Sequence, residues 1–292
     1  MCLLTYAFTS FSFSAIIDCR KVRDNLISQA KGLILKWKLE PKLAVVQVEG
    51  DKASDRYVRN KKIMCEKVGI EFEHVKLPNN CTEDRLFNVI YRLNNDESVT
   101  GIILQLPLPE HLKYCEQGFI NLIDKGKDVD GLTDGNTGKL WNDGSCLSPC
   151  TAAGIVSILS YYDMLGNNPD VCVVGRSKLI GKPLTKMLLD YDCTVTVCHS
   201  RTKDLKKHTL EADIVVLATG NPKMFDKSYF KDDAIVIDAG ISIDENGKVC
   251  GDANSETFKD TNISYTPVPG GVGIMTVAEL MYNVMLSDFI ND

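Results

Sequence analysis

A glycine-containing turn in the second half of the chain has the residue types of an anion-binding site. The apolar run at 171–174 ends at Gly175, and a polar loop then leads through Arg176 and Ser177 to Gly181. This pattern predicts a strand, a turn and a helix, whose backbone N–H groups and positive helix N-terminus can hold the pyrophosphate of a dinucleotide. The spacing meets G-x-G-x-x-G only in part, and a βα turn can carry glycine without binding a cofactor.

The end of the next predicted strand, at 194–198, indicates which dinucleotide would bind. An NAD site usually has Asp or Glu there, which accepts hydrogen bonds from the adenosine ribose. This chain instead has Ser200 and Arg201, and Arg176 lies in the preceding turn. A cation and hydroxyl donors suit a 2′-phosphate, so the sequence predicts NADP rather than NAD. Arg201 could also be a solvated residue at the start of the next helix.

Three side chains in the first third of the chain could meet in one cleft. Tyr57 and Lys61 are four residues apart on a predicted helix that Ser54 can cap, so both project from one helix face. Gln105 ends a predicted strand, and ligands of open α/β sheets bind along the edge where such strands end. The same spacing is typical of an exposed lysine that packs on a tyrosine, and spacing alone favours that surface interpretation.

A pair of aspartates forms the next candidate. Asp128 and Asp130 stand two residues apart, immediately before Gly131. Aspartate beside glycine often forms only a turn. A metal site would need more oxygen ligands at spaced positions, and the neighbouring sequence does not supply them.

A glycine-rich segment near the end of the chain could form a flat wall beside a ligand. Three glycines in four residues follow two prolines within 267–273, with Pro269, Gly270 and Gly271 at the centre. Backbone without side chains lets a flat ligand approach closely. The segment could instead be a connector, but it leads straight into a predicted helix.

The composition is that of an ordinary globular protein. The 292 residues are about two domains by length, with 44% hydrophobic and 25% charged residues. A net charge of −6 argues against a general nucleic-acid surface, and no apolar run is long enough to predict a membrane span. The eleven cysteines are scattered, and Cys146 and Cys150 have no matching second pair. We therefore expect reduced thiols in a cytoplasmic protein without a metal site.

Alternating helices and strands predict a two-domain α/β protein with mostly parallel sheets. Residues 1–150 plus 276–292 are expected to form a substrate domain, and residues 151–275 a Rossmann-like cofactor domain. A loop over about 124–149 precedes the boundary. The last helix should begin near Thr276, which forms a capping box with Glu279, and should pack back on the first domain. The first fourteen residues are expected to be an extension without a role in the chemistry.

The motifs together resemble the bifunctional methylenetetrahydrofolate dehydrogenase/cyclohydrolase family over about residues 15–286. Five motifs in the family's order overturn the surface interpretation of Lys61. Ala152 and Ile274 depart from the family, which usually has proline at both positions. The motifs stand here as Tyr57-Val58-Arg59-Asn60-Lys61, Gln105-Leu106-Pro107-Leu108-Pro109, Asp128-Val129-Asp130-Gly131, Val174-Gly175-Arg176-Ser177 with Gly181-Lys182-Pro183, and Pro267-Val268-Pro269-Gly270-Gly271-Val272-Gly273.

The resemblance implies an NADP-dependent enzyme of one-carbon metabolism. It would oxidise 5,10-methylenetetrahydrofolate to the methenyl compound and then hydrolyse that compound to 10-formyltetrahydrofolate. Lys61 would be the general acid/base, Gln105 would orient it, and Tyr57 would supply a ring face and a hydroxyl group. Asp130 would pair with the N–H donors of the aminopyrimidine ring. Similar proteins are homodimers joined through the cofactor domain, and we expect the same here.

Two other functions remain open at this point. One is a different two-domain NADP-dependent dehydrogenase, of the shikimate or amino-acid type, against which the Tyr57/Lys61 pair and the glycine wall argue. The other is a non-catalytic folate- or nucleotide-binding protein, in which Ala152 and Ile274 would mark lost activity. The presence of Lys61, Gln105 and Asp130 argues against that function.

Overall fold

The computed structural model describes residues 15–290 and has the two-domain α/β fold that the sequence predicts. The first fourteen residues, expected to play no part in the chemistry, lie outside the described residues. None of the helices within 15–290 is long and apolar enough to cross a membrane.

The elements alternate along most of the chain. The helices are α1 Cys19–Trp37, α2 Lys52–Val68, α3 Glu83–Asn94, α4 Glu110–Lys113, α5 Glu116–Asn121, α6 Asp134–Trp141, α7 Cys150–Tyr161, α8 Gly181–Leu189, α9 Leu205–Glu211 and α10 Val272–Ile290. The strands are β1 Lys42–Val48, β2 Glu71–Leu77, β3 Gly101–Gln105, β4 Asp170–Val174, β5 Thr194–Cys198, β6 Ile214–Leu217, β7 Ile235–Asp238, β8 Ser242–Ile243, β9 Val249–Cys250 and β10 Ser264–Tyr265.

The first domain is built on a parallel sheet with the strand order β2-β1-β3. Successive side chains of a strand point to opposite faces of its sheet. In β1, Leu43 and Val45 pack with α1, α2 and α10 on one face, whereas Ala44 and Val46 pack with α3 on the other. Burial on both faces explains why β1 is a nearly continuous apolar run.

The second domain has a parallel sheet with the strand order β10-β7-β6-β4-β5. Val171 and Val173 of β4 pack against α7 and α8, while Cys172 and Val174 face the opposite layer. The short strands β8 and β9 form an antiparallel pair beside this sheet.

Two helices join the domains. α7 leads into the second domain, and α10 returns from it to pack along α1, α2 and α7. Thr151 Oγ1 and Thr276 Oγ1 lie 3.2 Å apart where α7 meets α10. A Cβ on Gly154 would lie only 2.7 Å from the Cβ of Met275, so this glycine permits the close approach. The prediction that the last helix packs back on the first domain is confirmed.

Both predicted helix caps are wrong. Ser54 lies inside α2, and its N–H donates to Asp51 Oδ2 at 3.0 Å, so Asp51 supplies the acceptor that was assigned to Ser54. Thr276 likewise lies inside α10, which begins four residues earlier. Glu279 accepts a hydrogen bond from Ser157 Oγ of α7 instead of closing a capping box. Tertiary partners have replaced the local ones in both places.

The predicted loop over 124–149 contains α6. Thr133 caps this helix by accepting a hydrogen bond from the N–H of Asn136. The helix went unpredicted because two glycines and an asparagine in eight residues give it a weak propensity. The division into residues 1–150 plus 276–292 and 151–275 stays a prediction.

Candidate active site

A cleft of about 220 Å³ opens between the two domains. Lys61 from α2, Gln105 from the end of β3 and Asp130 from the turn before α6 line its first-domain side. Ile180, immediately before α8, and Thr276 of α10 line the other side. The structure therefore brings three of the predicted site residues together at the carboxyl edge of the first sheet.

Gln105 fixes the direction of the Lys61 side chain. Lys61 Nζ donates to Gln105 Oε1 at 2.8 Å, and Gln105 Nε2 donates to the carbonyl oxygen of Leu106 at 2.7 Å. Because Leu106 holds the amide nitrogen, the amide oxygen faces Lys61. Gln105 is only 8% exposed, which shields this hydrogen bond from bulk water.

Asp128 holds the turn that carries Asp130. The buried Asp128 carboxylate accepts hydrogen bonds from the Thr133 N–H at 2.8 Å and from Asn136 Nδ2 at 2.9 Å. Asp128 is thus part of the scaffold, whereas Asp130 lines the cleft. Desolvation raises the pKa of Asp130, and the nearby positive charge of Lys61 offsets that effect only in part.

Tyr57 stands beside the cleft and is not among the residues that line it. It lies one helical turn before Lys61 on α2, and it is 48% exposed. Its ring is therefore accessible to a ligand that extends from the cleft along α2.

The glycine wall also lies next to the cleft lining, directly before α10. Gly270 has φ of +99°, and a Cβ on Gly271 would lie 2.3 Å from the carbonyl oxygen of Pro267. A side chain would strain the backbone at Gly270 and would have no room at Gly271. Pro269 completes the bare segment, and α10 then carries Thr276 into the cleft.

The predicted phosphate-binding turn joins β4 to α8 and closes tightly. Gly175 has φ of +144°, and a Cβ there would lie 2.5 Å from the carbonyl oxygen of Ala218. A Cβ on Gly181 would lie 2.1 Å from the carbonyl oxygen of Gly175, so only glycine fits. Within residues 15–290, the N–H groups of Ser177 and Lys178 donate to no acceptor. These groups, in the loop that leads into the N-terminus of α8, fit the pyrophosphate of a dinucleotide.

The predicted 2′-phosphate residues lie at the same edge of the second sheet. β4 and β5 are paired neighbours, so Arg176 after β4 and Ser200 and Arg201 after β5 stand at adjacent strand ends. All three side chains are exposed. Neither guanidinium forms an ion pair with a described residue, so both cations are available to an anionic ligand.

The sequence analysis did not predict that residues at the start of α7 line the cleft. Cys150 and Thr151 open α7 and line the cleft, and Cys150 Sγ lies 3.8 Å from Asp130 Oδ1. Burial raises the pKa of the Cys150 thiol well above its ordinary value. Pro149 before α7 was the available signal, since proline commonly opens helices. No group of three or more His, Cys, Asp or Glu side chains in the described residues could hold a metal ion.

Two family models match this chain, one for each domain. The tetrahydrofolate dehydrogenase/cyclohydrolase catalytic domain matches residues 17–130. The NAD(P)-binding domain of the same family matches residues 149–289, a range that includes the turn at Gly175 and nearly all of α10.

Whole-chain relatives agree with these matches. The bifunctional protein FolD of Francisella philomiragia is 43% identical over 273 residues, which are 92% of this chain and 96% of that protein. The crystal structure of the bifunctional enzyme FolD, a methylenetetrahydrofolate dehydrogenase/cyclohydrolase from Campylobacter jejuni, has a TM-score of 0.90 at 35% identity and covers 96% of this chain and 100% of that one.

A third relative was solved with a cofactor. The Trypanosoma brucei methylenetetrahydrofolate dehydrogenase-cyclohydrolase, in complex with NADP and an inhibitor, has a TM-score of 0.85 at 30% identity and covers 97% of this chain and 100% of that one. The matched ranges extend over both domains and contain Lys61 and Gly175. The chain belongs to the tetrahydrofolate dehydrogenase/cyclohydrolase family, as its motifs predict.

Proposed function

We propose that this chain oxidises 5,10-methylenetetrahydrofolate to 5,10-methenyltetrahydrofolate with NADP⁺ and then hydrolyses the methenyl compound to 10-formyltetrahydrofolate. One observation carries the proposal. The Lys61–Gln105 pair and Asp130 share a cleft whose opposite wall, at Ile180, belongs to the phosphate-binding turn. Family membership supplies the reaction class.

In the oxidation, the protein's task is positioning. NADP⁺, when bound, accepts the hydride that leaves the methylene carbon. The product is a stabilised cation, so no protein group needs to remove a proton. The cleft residues Ile180 and Thr276 bound the space between the turn and the folate side, and alignment within that space supplies the acceleration.

The hydrolysis needs proton transfer. Water adds to the methenyl carbon and loses one proton. The bond from that carbon to N5 then breaks as the remaining hydroxyl proton leaves to form the formyl carbonyl, and N5 gains a proton, so one proton is released overall. Lys61 is the general acid/base for these transfers, and Gln105 keeps its amine directed into the cleft. Both reactions thus share one bound substrate and differ in their need for Lys61.

Substrate binding falls to residues at the two ends of the folate. Asp130, in its largely desolvated position, pairs with the N–H donors of the aminopyrimidine ring. Tyr57 offers its ring face and hydroxyl at the mouth of the cleft, and Pro269, Gly270 and Gly271 form a wall next to the cleft, directly before α10.

The cofactor is NADP, held by the turn after β4. Gly175, Ser177 and Gly181 receive the pyrophosphate against the N-terminus of α8, and Arg176, Ser200 and Arg201 receive the 2′-phosphate. The tight glycine contacts and the unpaired guanidinium groups support this assignment.

We further propose a cytoplasmic homodimer joined through the cofactor domain. β5 is an edge strand of the second sheet, and exposed apolar residues lie on it and on its flanking elements, among them Leu189, Tyr191 and Val197. An exposed apolar sheet edge favours pairing with a second copy. The ten cysteines among the described residues are free thiols, which suits a reducing compartment.

A two-part assay tests the function. With 5,10-methylenetetrahydrofolate, the purified chain should reduce NADP⁺ and form 10-formyltetrahydrofolate. With methenyltetrahydrofolate alone, it should form the same product without any nicotinamide. Folate binding without turnover would indicate a non-catalytic relative, and NADP⁺ reduction with only a hydroxy acid would indicate another dehydrogenase. Either result would contradict the proposal.

The positions of Ala152 and Ile274 argue against the non-catalytic alternative. Ala152 is fully buried in α7, and Ile274 packs against the apolar core of the second domain. Neither residue lines the cleft. The two departures from the family therefore leave the catalytic side chains undisturbed.

A further inference from the structure

We propose that Asn283 of α10 is a positioning residue that sets where the Asp130 carboxylate stands. The inference rests on the proposed function, in which Asp130 holds the aminopyrimidine ring. It gives α10, the last helix, an indirect part in folate recognition, through the position of Asp130.

Asn283 ties together two loops that meet behind Asp130. Its Nδ2 donates to the carbonyl oxygens of Val129 and Ser148, both at 2.9 Å. The side chain is only 4% exposed, so bulk water does not replace either bond. An amide NH₂ group has two protons, and these two carbonyl oxygens are its closest acceptors, one on each loop, with Cys150 Sγ farther away at 3.5 Å.

The loop at 129–131 and the loop at 147–148 are in close van der Waals contact. Gly131 has φ of +69°, and a Cβ there would lie 2.5 Å from the carbonyl carbon of Ser148 and 2.7 Å from the carbonyl oxygen of Leu147. Cys150, two residues after Ser148, places its Sγ 3.3 Å from the Val129 carbonyl oxygen. The separation of the two loops therefore determines the position of the residue between Val129 and Gly131, which is Asp130.

An apolar residue at position 283 would suit the packing of α10 but not the two carbonyl groups. Its neighbours Leu280 and Val284 are buried in the apolar core of the first domain. Removing the amide would take this donor from the part-buried Ser148 carbonyl oxygen and would leave the Val129 oxygen to the weaker Cys150 thiol donor. The loops can relieve this unfavourable state by separating. A displacement of about 1 Å at a binding group is enough to weaken a reaction about 100-fold.

Ser287 provides a matched control on the same helix. It lies one turn after Asn283 and is fully buried. Its Oγ is 2.8 Å from the carbonyl oxygen of Thr100 and 2.7 Å from that of Gly126, neither of which is next to Asp130. Ser287→Ala therefore reports on loosening α10 without disturbing the Val129 and Ser148 contacts.

The experiment compares Asn283→Leu, Asn283→Ser and Ser287→Ala. Asn283→Leu should raise the KM for methylenetetrahydrofolate and for methenyltetrahydrofolate by about 10-fold or more, with kcat and the KM for NADP⁺ changed less than about twofold. Asn283→Ser keeps one donor and should give a smaller change in the same direction, so it serves if the leucine variant does not fold. Ser287→Ala should leave the ratio of the folate KM to the NADP⁺ KM unaltered.

A double-mutant cycle with Asp130→Ala separates the two proposals. If Asn283 acts through Asp130, Asn283→Leu should add little to the folate KM once Asp130 is alanine. If Asp130→Ala raises the folate KM but the two changes multiply, or if Asn283 variants raise the NADP⁺ KM equally, the positioning role is overturned. If Asp130→Ala leaves the folate KM unchanged, the proposed role of Asp130 itself is wrong.

Discussion

At the scale of single residues, the orientation of the Gln105 side-chain amide determines how Lys61 can take part in proton transfer. Gln105 gives its N–H to the Leu106 carbonyl and thereby offers only its oxygen to Lys61. An oxygen acceptor holds an amine by one of its protons and leaves the rest of the group directed at the substrate. The same residue therefore limits the motion of Lys61 and keeps it available for chemistry.

The cofactor choice also depends on single side chains. Arg201→Ala should raise the KM for NADP⁺ by about 10- to 100-fold, because a charge-assisted contact is worth about 1.5–3 kcal/mol. The KM for NAD⁺, which lacks the 2′-phosphate, should change less than about twofold. Arg176→Ala should act in the same direction. Steady-state kinetics with both cofactors check this, with Lys207→Ala on the exposed face of α9 as the control. A parallel rise for NADP⁺ and NAD⁺ would contradict the assignment.

At the scale of elements, the contact between α7 and α10 contains a buried carboxyl group. Glu279 is 4% exposed and accepts its hydrogen bond from Ser157, and burial raises its pKa to about 7 from an ordinary 4.5. A raised pKa means that the folded state favours the protonated form. The stability contributed by this group is therefore present below about pH 4.5 and is lost as the pH rises to about 7.

Glu279→Gln should remove that pH dependence. The variant's free energy of unfolding, relative to the unmutated protein, should increase by about 3 kcal/mol between pH 5 and pH 8. Urea unfolding at several pH values measures the difference. A difference that stays constant over this pH range would mean that the Glu279 carboxyl group does not titrate differently on folding.

Helices and strands with strong periodicity were predictable, and those fixed by tertiary contacts were not. The apolar runs of β1 and β4 are buried on both sheet faces, so their sequences identify them. The start of α10 was predicted at Thr276 because its spacing to Glu279 is that of a capping box. In the structure that first turn is held against α7, through contacts such as Thr151 with Thr276, which no local pattern encodes.

At the scale of the whole molecule, the edge of the second sheet carries the proposed dimer contact. Val197→Asp places a charge on the exposed side of β5 and should convert the dimer to a monomer. Ile243 lies on the β8–β9 pair and is 70% exposed. Ile243→Asp should therefore leave the dimer intact. Light scattering after size-exclusion chromatography measures both. A dimer that persists with Val197→Asp would place the contact elsewhere.

The alternation of helices and strands predicted the two-domain fold. It predicted only some of the residues that line the cleft. Lys61 and Gln105 were expected to meet because both lie at one sheet edge. Asp130 was expected at the site only through the family resemblance, because an Asp-Gly pair is typical of any turn. The contributions of Ile180 and Thr276 depend on how the two domains face each other, which sequence spacing does not determine.

The central claim is that one cleft carries both reactions and that only the second needs the Lys61 amine. Lys61→Met keeps the apolar stem and removes the amine. Lys62→Met is the matched control, since Lys62 is the next residue and its exposed side chain pairs with Glu66. Rates of methenyltetrahydrofolate hydrolysis and of NADP⁺ reduction are measured on the same preparations, with folate binding measured separately.

We expect hydrolysis by Lys61→Met to fall by about 10²–10⁴-fold, the usual contribution of general acid/base catalysis. NADP⁺ reduction should fall much less, so methenyltetrahydrofolate accumulates, and Lys62→Met should retain both activities. Hydrolysis at the normal rate in Lys61→Met would contradict the claim. Loss of both activities together, in a folded variant that still binds folate, would contradict it equally.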